Sequence, residues 1–252
     1  TSRGRKRKPS PQPLNEAMMA TPTVTRTAGE PSGANDNPLS GKKVFIPPMA
    51  YGSGRAFASS FRAIGVNADI VPPSDERTRE LGARYTSGDE CYPAKVTVGD
   101  FMKLLEQPGV DPARVALFMP TADGPCRFGQ YAPYLERILK ANGYLETKVV
   151  SPSSNNSYGG LGALSRPFVR TGWRALLSAD ILQKLLLKYR PHEKTAGETD
   201  RVYRECLDDL CHTIENSTTN PPAQLKAIRA SLVRSRDRFH RIRVQRDEST
   251  PL

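Results

Sequence analysis

Apolar residues along this chain follow two rhythms. Compact apolar runs occur at Val44-Phe45-Ile46, Ala68-Asp69-Ile70-Val71, Val115-Ala116-Leu117-Phe118-Met119 and Lys148-Val149-Val150. Short runs bounded by turn residues read as buried strands. Between them, apolar residues return at every third or fourth position: Phe57, Phe61 and Ile64, then Val98, Met102 and Leu105, then Tyr134, Leu135, Ile138 and Leu139. That spacing lines one face of a helix. Pro47-Pro48 and Pro72-Pro73 end the first two strands, and Gly65 and Asn142-Gly143 close two helices. A further helix is predicted from a Ser74 cap to Arg84 or Tyr85, and another from Val96 to Leu105. The alternation predicts an α/β fold: an open parallel sheet, flavodoxin-like or Rossmann-like, with right-handed crossovers.

The pattern changes on both sides of this block. Residues 1–40 are rich in Pro, Thr, Ser, Gly and Asn without periodicity, so they read as a disordered basic linker. Residues 153–160 read as a flexible loop. A long helix is predicted from Val169 to Tyr189, with Trp173, Leu176, Leu177, Ile181, Leu185 and Leu186 as its apolar positions. Residues 197–216 and 221–241 read as two more helices. The expected division is a linker over 1–40, an α/β domain over 41–152, and a helical extension over 153–252 that acts as a lid or spacer and carries a basic tail. The chain begins with Thr1 and is expected to be a piece of a longer polypeptide.

Composition narrows the classes. The chain has 252 residues and a net charge of +11, with 37% hydrophobic residues. The cations concentrate in Arg3 to Lys8 and in Lys226 to Arg246, and neither block is interleaved with enough aromatics to make a stacking surface. Both read as solvated charge, and nucleic-acid binding is not expected. No apolar run approaches the roughly 20 residues needed to span a bilayer, and the amino end lacks a signal-like apolar stretch. A cytoplasmic location follows as an expectation, with no membrane partner. In a reducing compartment, four cysteines favour metal or redox chemistry over disulfides.

Two of those cysteines sit in stiff polar loops. Cys91 lies in Gly88-Asp89-Glu90-Cys91-Tyr92-Pro93, and Cys126 in Gly124-Pro125-Cys126-Arg127-Phe128-Gly129-Gln130-Tyr131. Glycine allows close backbone approach and proline fixes the turn. In open α/β sheets ligands bind beyond the carboxyl ends of strands, where the Cys126 loop leaves the third strand. Such loops suit a metal cluster whose sulfurs accept amide hydrogen bonds. A buried structural thiol is the ordinary alternative for either residue.

These phrases, together with Lys43-Val44-Phe45-Ile46-Pro47, Phe118-Met119-Pro120, Arg190-Pro191-His192-Glu193-Lys194 and Gly197-Glu198-Thr199-Asp200, resemble the 2-hydroxyacyl-CoA dehydratase superfamily. The likeness is to the region that follows the activase modules of long acyl-CoA dehydratase activase-related proteins, and it covers roughly residues 41–245. The resemblance implies an iron–sulfur cluster, 4Fe-4S or double-cubane with 4Fe-4S the simpler, held by three cysteines per subunit and reduced by an ATP-dependent activase domain or subunit. In true dehydratases the cluster passes one electron to a 2-hydroxyacyl-CoA thioester, which loses water through a ketyl radical. On this resemblance, Cys91 and Cys126 are metal ligands, and Arg127 offsets the cluster's negative charge or is a plain surface arginine. The expected function is an iron–sulfur electron-transfer module, not catalytic alone and possessing lyase or reductase chemistry only within the larger system. The alternative is a non-catalytic α/β interaction domain without a complete cluster site.

Several positions depart from the family pattern or stand outside it. Relatives often read Cys-Tyr-Pro-Cys where this chain has Ala94. Cys206 and Cys211 are five apart on a helix, which turns them about 140° from one another, so both read as structural. The third ligand is expected beyond Leu252. Gly52-Ser53-Gly54 with Arg55 lacks the full spacing of a phosphate-binding turn and reads as a plain strand-to-helix loop, with a contact to a CoA phosphate as the alternative. His192, His212 and His240 have no zinc-ligand spacing. Tyr92 and Tyr131 flank the cysteines, either as a water shield or as packing.

Overall fold

The structure is a computed structural model and describes residues 38–122, 124–153, 161–217 and 220–245. Of the linker expected over residues 1–40, residues 1–37 fall outside the described residues, as do residues 154–160 of the loop expected over 153–160. Four strands, β1 (Lys43–Ile46), β2 (Ala68–Ile70), β3 (Val115–Phe118) and β4 (Lys148–Val150), form one parallel sheet in the order β2-β1-β3-β4. Val44 pairs with Ala68 on one side and Ala116 on the other, and Leu117 pairs with Val149. β3 is buried throughout, as expected of a central parallel strand covered on both faces. The chain therefore has the open parallel α/β fold that its apolar runs predict.

Side-chain alternation along β3 sorts the helices into two layers. Val115 and Leu117 share a core with α2 (Glu76–Tyr85), α3 (Tyr92–Leu105) and α4 (Tyr131–Ala141), through Leu81, Phe101, Leu135 and Ile138. Ala116 and Phe118 face α1 (Tyr51–Arg62) and α5 (Ser165–Tyr189). There Phe57, Phe61, Phe118 and Phe168 cluster with ring centroids between 4.3 and 6.3 Å apart. Edge-on and tilted aromatic packing of this kind adds to the area buried. α6 (Glu198–Glu215) and α7 (Pro221–His240) stack behind α1 and α5 around Ala175, Leu207 and Phe239. The helical half is thus the outer layer of the fold, not the lid or spacer expected, because α5 plugs Phe168 into the sheet itself.

Other boundaries move for local reasons. Asp75, not Ser74, caps α2: its carboxylate accepts from Thr78 N at 3.0 Å, and Thr78 Oγ1 takes the Asp75 N–H at 3.2 Å. Ser74 instead donates to buried Asp100 at 2.8 Å. Burial pushes the Asp100 carboxyl up, against the pull of its bonds from Ser74 and Thr78. α3 begins at Tyr92, four residues before the expected start, because Pro93 suits a first helical turn. The glycine-rich stretch after β1 is the first turn of α1 rather than a loop. Order reaches back past Lys42: Leu39 is only 2% exposed, and Lys148 Nζ donates to Pro38 O at 3.0 Å. Trp173, Leu177 and Ile181 face solvent, and α5 buries Phe168, Ala175, Ala179, Leu182 and Leu186 instead. Among the described residues, no helix is long and apolar enough to cross a membrane.

Candidate thiol site

The site is built at the carboxyl edge of the sheet from two loops. The first joins α2 to α3. Gly88 adopts φ +113°, a conformation open to glycine, and folds the chain back on itself. Glu90 then fastens the turn, accepting from Ser87 N at 3.2 Å, Ser87 Oγ at 2.9 Å and Gly88 N at 3.0 Å. This places Cys91 as the residue before α3, where its carbonyl accepts from Ala94 N at 2.9 Å. Its thiol meets the positive end of a 14-residue helix.

The second loop leaves β3. Gly124 has φ +116°, and Cys126 precedes a 3-10 turn over Arg127–Gln130 that runs into α4. Gly129 is pressed against this loop's own start: a Cβ there would lie 2.5 Å from Ala122 O. Thr121 Oγ1 donates to Gly129 O at 3.3 Å and closes the turn. This edge includes the crevice where the chain leaves β1 for β2 on one side and β3 for β4 on the other, the usual ligand position of such sheets.

Three contacts stitch the two loops together. Arg127 Nη1 donates to Asp89 O at 2.8 Å. Tyr131 Oη lies 2.8 Å from Cys91 Sγ. Tyr134 Oη donates to the Glu90 carboxylate in a short hydrogen bond. The structure therefore brings Cys91, Cys126 and Arg127 into one neighbourhood, with Tyr131 sensing the charge of both thiols. Cys91 is half-buried, while Cys126 and Arg127 are exposed.

Hydrogen bonding draws the Cys91 thiol towards ionisation. The Tyr131 hydroxyl holds its thiol below the usual range; burial opposes this, and the Ala94 N–H and the Arg127 guanidinium add to it. Burial and the adjacent thiol push the Tyr131 phenol up, so Tyr131 stays a donor. Burial raises the Glu90 carboxyl, but bonds from Tyr134, from its own N–H and from Ser87 outweigh it and hold the group at about 2. The turn beneath the thiol therefore carries a fixed negative charge.

The remaining candidates separate from this site. Cys206 and Cys211 are buried in the α1–α5–α6–α7 core, and burial pushes both thiols up. Cys206 faces Ser235 and Arg238 of α7, and Cys211 faces Ser59 and Arg55 of α1. Ala94 is buried and lines a small cavity of about 10 Å³ with Tyr131 and Tyr134. Tyr92 is 65% exposed, whereas Tyr131 is buried against Cys91. Gly52 serves packing: a Cβ there would lie 2.1 Å from Tyr203 Oη of α6. Arg55 is held by Asp208 at 2.8 Å. Among the described residues, no group of three His, Cys, Asp or Glu is arranged to hold a metal ion.

Sequence reasoning missed Glu90 and Tyr134. The available signal was Tyr134 three residues after Tyr131, on the same helix face, with Glu90 next to the cysteine it supports. Comparison with known proteins adds no relative, since no family model, curated protein or solved structure matches the chain.

Proposed function

We propose that the chain is an iron–sulfur electron-transfer module of the 2-hydroxyacyl-CoA dehydratase type, in which Cys91 and Cys126 supply thiolates to a cluster completed by another domain or polypeptide. The observation that supports the reading is the juxtaposition of two sequence-distant cysteine-bearing loops, tied by Arg127 to Asp89 and by Tyr131 to Cys91, with Cys91 at a helix amino end. Soft thiolates suit iron–sulfur clusters, and hydrogen bonds to sulfur tune them. The donor set fits in part: two thiols are present, and the described residues supply no third donor beside them.

A bound cluster would supply one-electron chemistry at low potential. The chain's own residues have separate tasks. Cys91 and Cys126 hold iron. Tyr131 donates to the Cys91 sulfur, and Arg127 holds the Asp89 carbonyl while placing a cation beside the thiolate. The partner on this reading is an ATP-dependent activase, and an acyl-CoA is the electron acceptor of the larger system. Neither Arg55 nor the first turn of α1 is offered as a CoA phosphate site, since both are engaged with α6.

Anaerobic reconstitution with iron and sulfide tests the reading, with iron content and EPR spectra compared among wild type, Cys91→Ser and Cys126→Ser. Each substitution is expected to lower bound iron and change the spectrum. Equal iron content in all three would sink the ligand assignment. A second reading is favoured by the count of two donors: an interaction domain of the same fold without a cluster. It predicts a colourless protein with no iron after reconstitution.

A further inference from the structure

We propose that the outer face of α5, with the groove beside it, is a docking surface for an amphipathic helix of a partner protein whose apolar stripe is flanked by carboxylates. α5 is apolar on two sides. Its inner side is consumed by the sheet and α6. Its outer side carries Trp173 at 60% exposure, Leu177 at 60% and Ile181 at 44%, spaced four apart along one ridge. Beside this ridge a groove of about 140 Å³ opens, walled by Phe57, Phe118, Pro152, Trp173 and Leu176. Trp173 belongs to both, so ridge and groove form one continuous apolar surface. Exposed patches of this kind mark interaction sites.

Charge selects the occupant. At 100° per residue, Arg166, Arg170, Lys184 and Lys188 fall on the same side of α5 as Trp173 and Leu177. They bracket the apolar centre at both ends. The one acid of α5 is Asp180, which pairs with Lys184 at 3.2 Å and leaves Arg166, Arg170 and Lys188 as the cations that select the partner. Arg174 is not part of the rim, since it donates to Pro221 O and Gln224 Oε1. A partner helix with Leu-type knobs and Glu or Asp at both ends would fill the groove and match these cations. A flat lipid surface fits less well, because it cannot enter a groove and would meet Asp180. No cysteine lines the surface, so the inference stands apart from the iron reading.

Trp173 is the only tryptophan in the chain, which makes its emission a direct reporter. The test titrates the full chain with a synthetic helical peptide bearing a leucine stripe flanked by glutamates, and with the same peptide carrying lysines instead. The expected result is a saturable blue shift with the glutamate peptide and binding weaker by about tenfold or more with the lysine peptide. Leu177→Asp should abolish the shift while circular dichroism stays native, since Leu177 is exposed. The double variant Arg166→Glu/Arg170→Glu should reverse the preference between the peptides. An unchanged Trp173 spectrum, or equal binding of both peptides, overturns the proposal. So does a shift produced instead by phosphatidylserine vesicles, or by protein concentration alone with dimers in sedimentation.

Discussion

Cys91 owes its acidity to neighbours that can be removed one at a time. Tyr131 is the first of them, and Tyr131→Phe deletes its hydroxyl while keeping the ring against Phe128. The pH midpoint for alkylation of Cys91 by iodoacetamide is then expected to rise, and its rate at neutral pH to fall severalfold. An unchanged midpoint would mean that the helix end and Arg127 alone set the thiol. Glu90 gives a second test, with the opposite kind of group. Its carboxyl is held at about 2 against an ordinary 4.5, so its ionised form stabilises the fold fully above pH 4.5. That contribution is lost as pH falls from 4.5 towards 2. In Glu90→Gln, the drop in melting temperature between pH 6 and pH 3 is expected to be smaller than in wild type.

At the scale of elements, close backbone contact decides the most sensitive positions. α2 and α3 cross so tightly that a Cβ on Gly99 would lie 2.0 Å from Thr78 O, and one on Gly82 2.4 Å from Lys95 O. Alanine gains about 1 kcal/mol of helix propensity over glycine, but backbone cannot step aside as a side-chain tip can. Gly99→Ala is therefore expected to destabilise by about 3 kcal/mol in urea unfolding. At Gly52 the obstacle is only the Tyr203 hydroxyl. Gly52→Ala should destabilise, and adding Tyr203→Phe should recover most of the loss. Such crossings explain what the sequence reveals and what it hides. The strands were legible because Val115 to Phe118 has no polar interruption in a short run. The start of α3 was hidden because Cys91 makes no side-chain cap bond, so nothing polar announces it. Ser74 and Asp75 are adjacent cap candidates, and only the geometry of Thr78 chooses between them. The exposure of Trp173 is not legible, because α5 has apolar residues on two sides and periodicity does not say which one the sheet takes. Cys91 and Cys126 were legible as candidates from their loops, whereas the ties through Glu90 and Tyr134 depend on how α4 lies against α3.

Across the whole molecule, the sheet separates two cores with different work. The α2–α3–α4 side carries the thiol rim, and the α1–α5–α6–α7 side carries bulk stability and the exposed ridge. The basic run on α7 is partly spent inside this architecture: Arg234 pairs with Asp209 at 2.9 Å and Arg236 with Asp237 at 2.8 Å. Both cores are built of packed apolar side chains, with neither Cys91 nor Cys126 fully buried in them, so a chelator is expected to leave cooperative unfolding by far-UV circular dichroism unchanged. The same division gives the chain a built-in gauge of its own integrity. Cys126 is exposed and Cys91 half-buried at the rim, while Cys206 and Cys211 are sealed between helices. A thiol dye should therefore tag the first two at once and reach the second two only at the pace at which the α6 layer breathes. Following the late pair over time would clock opening of that layer in the unmodified protein, with no engineered probe.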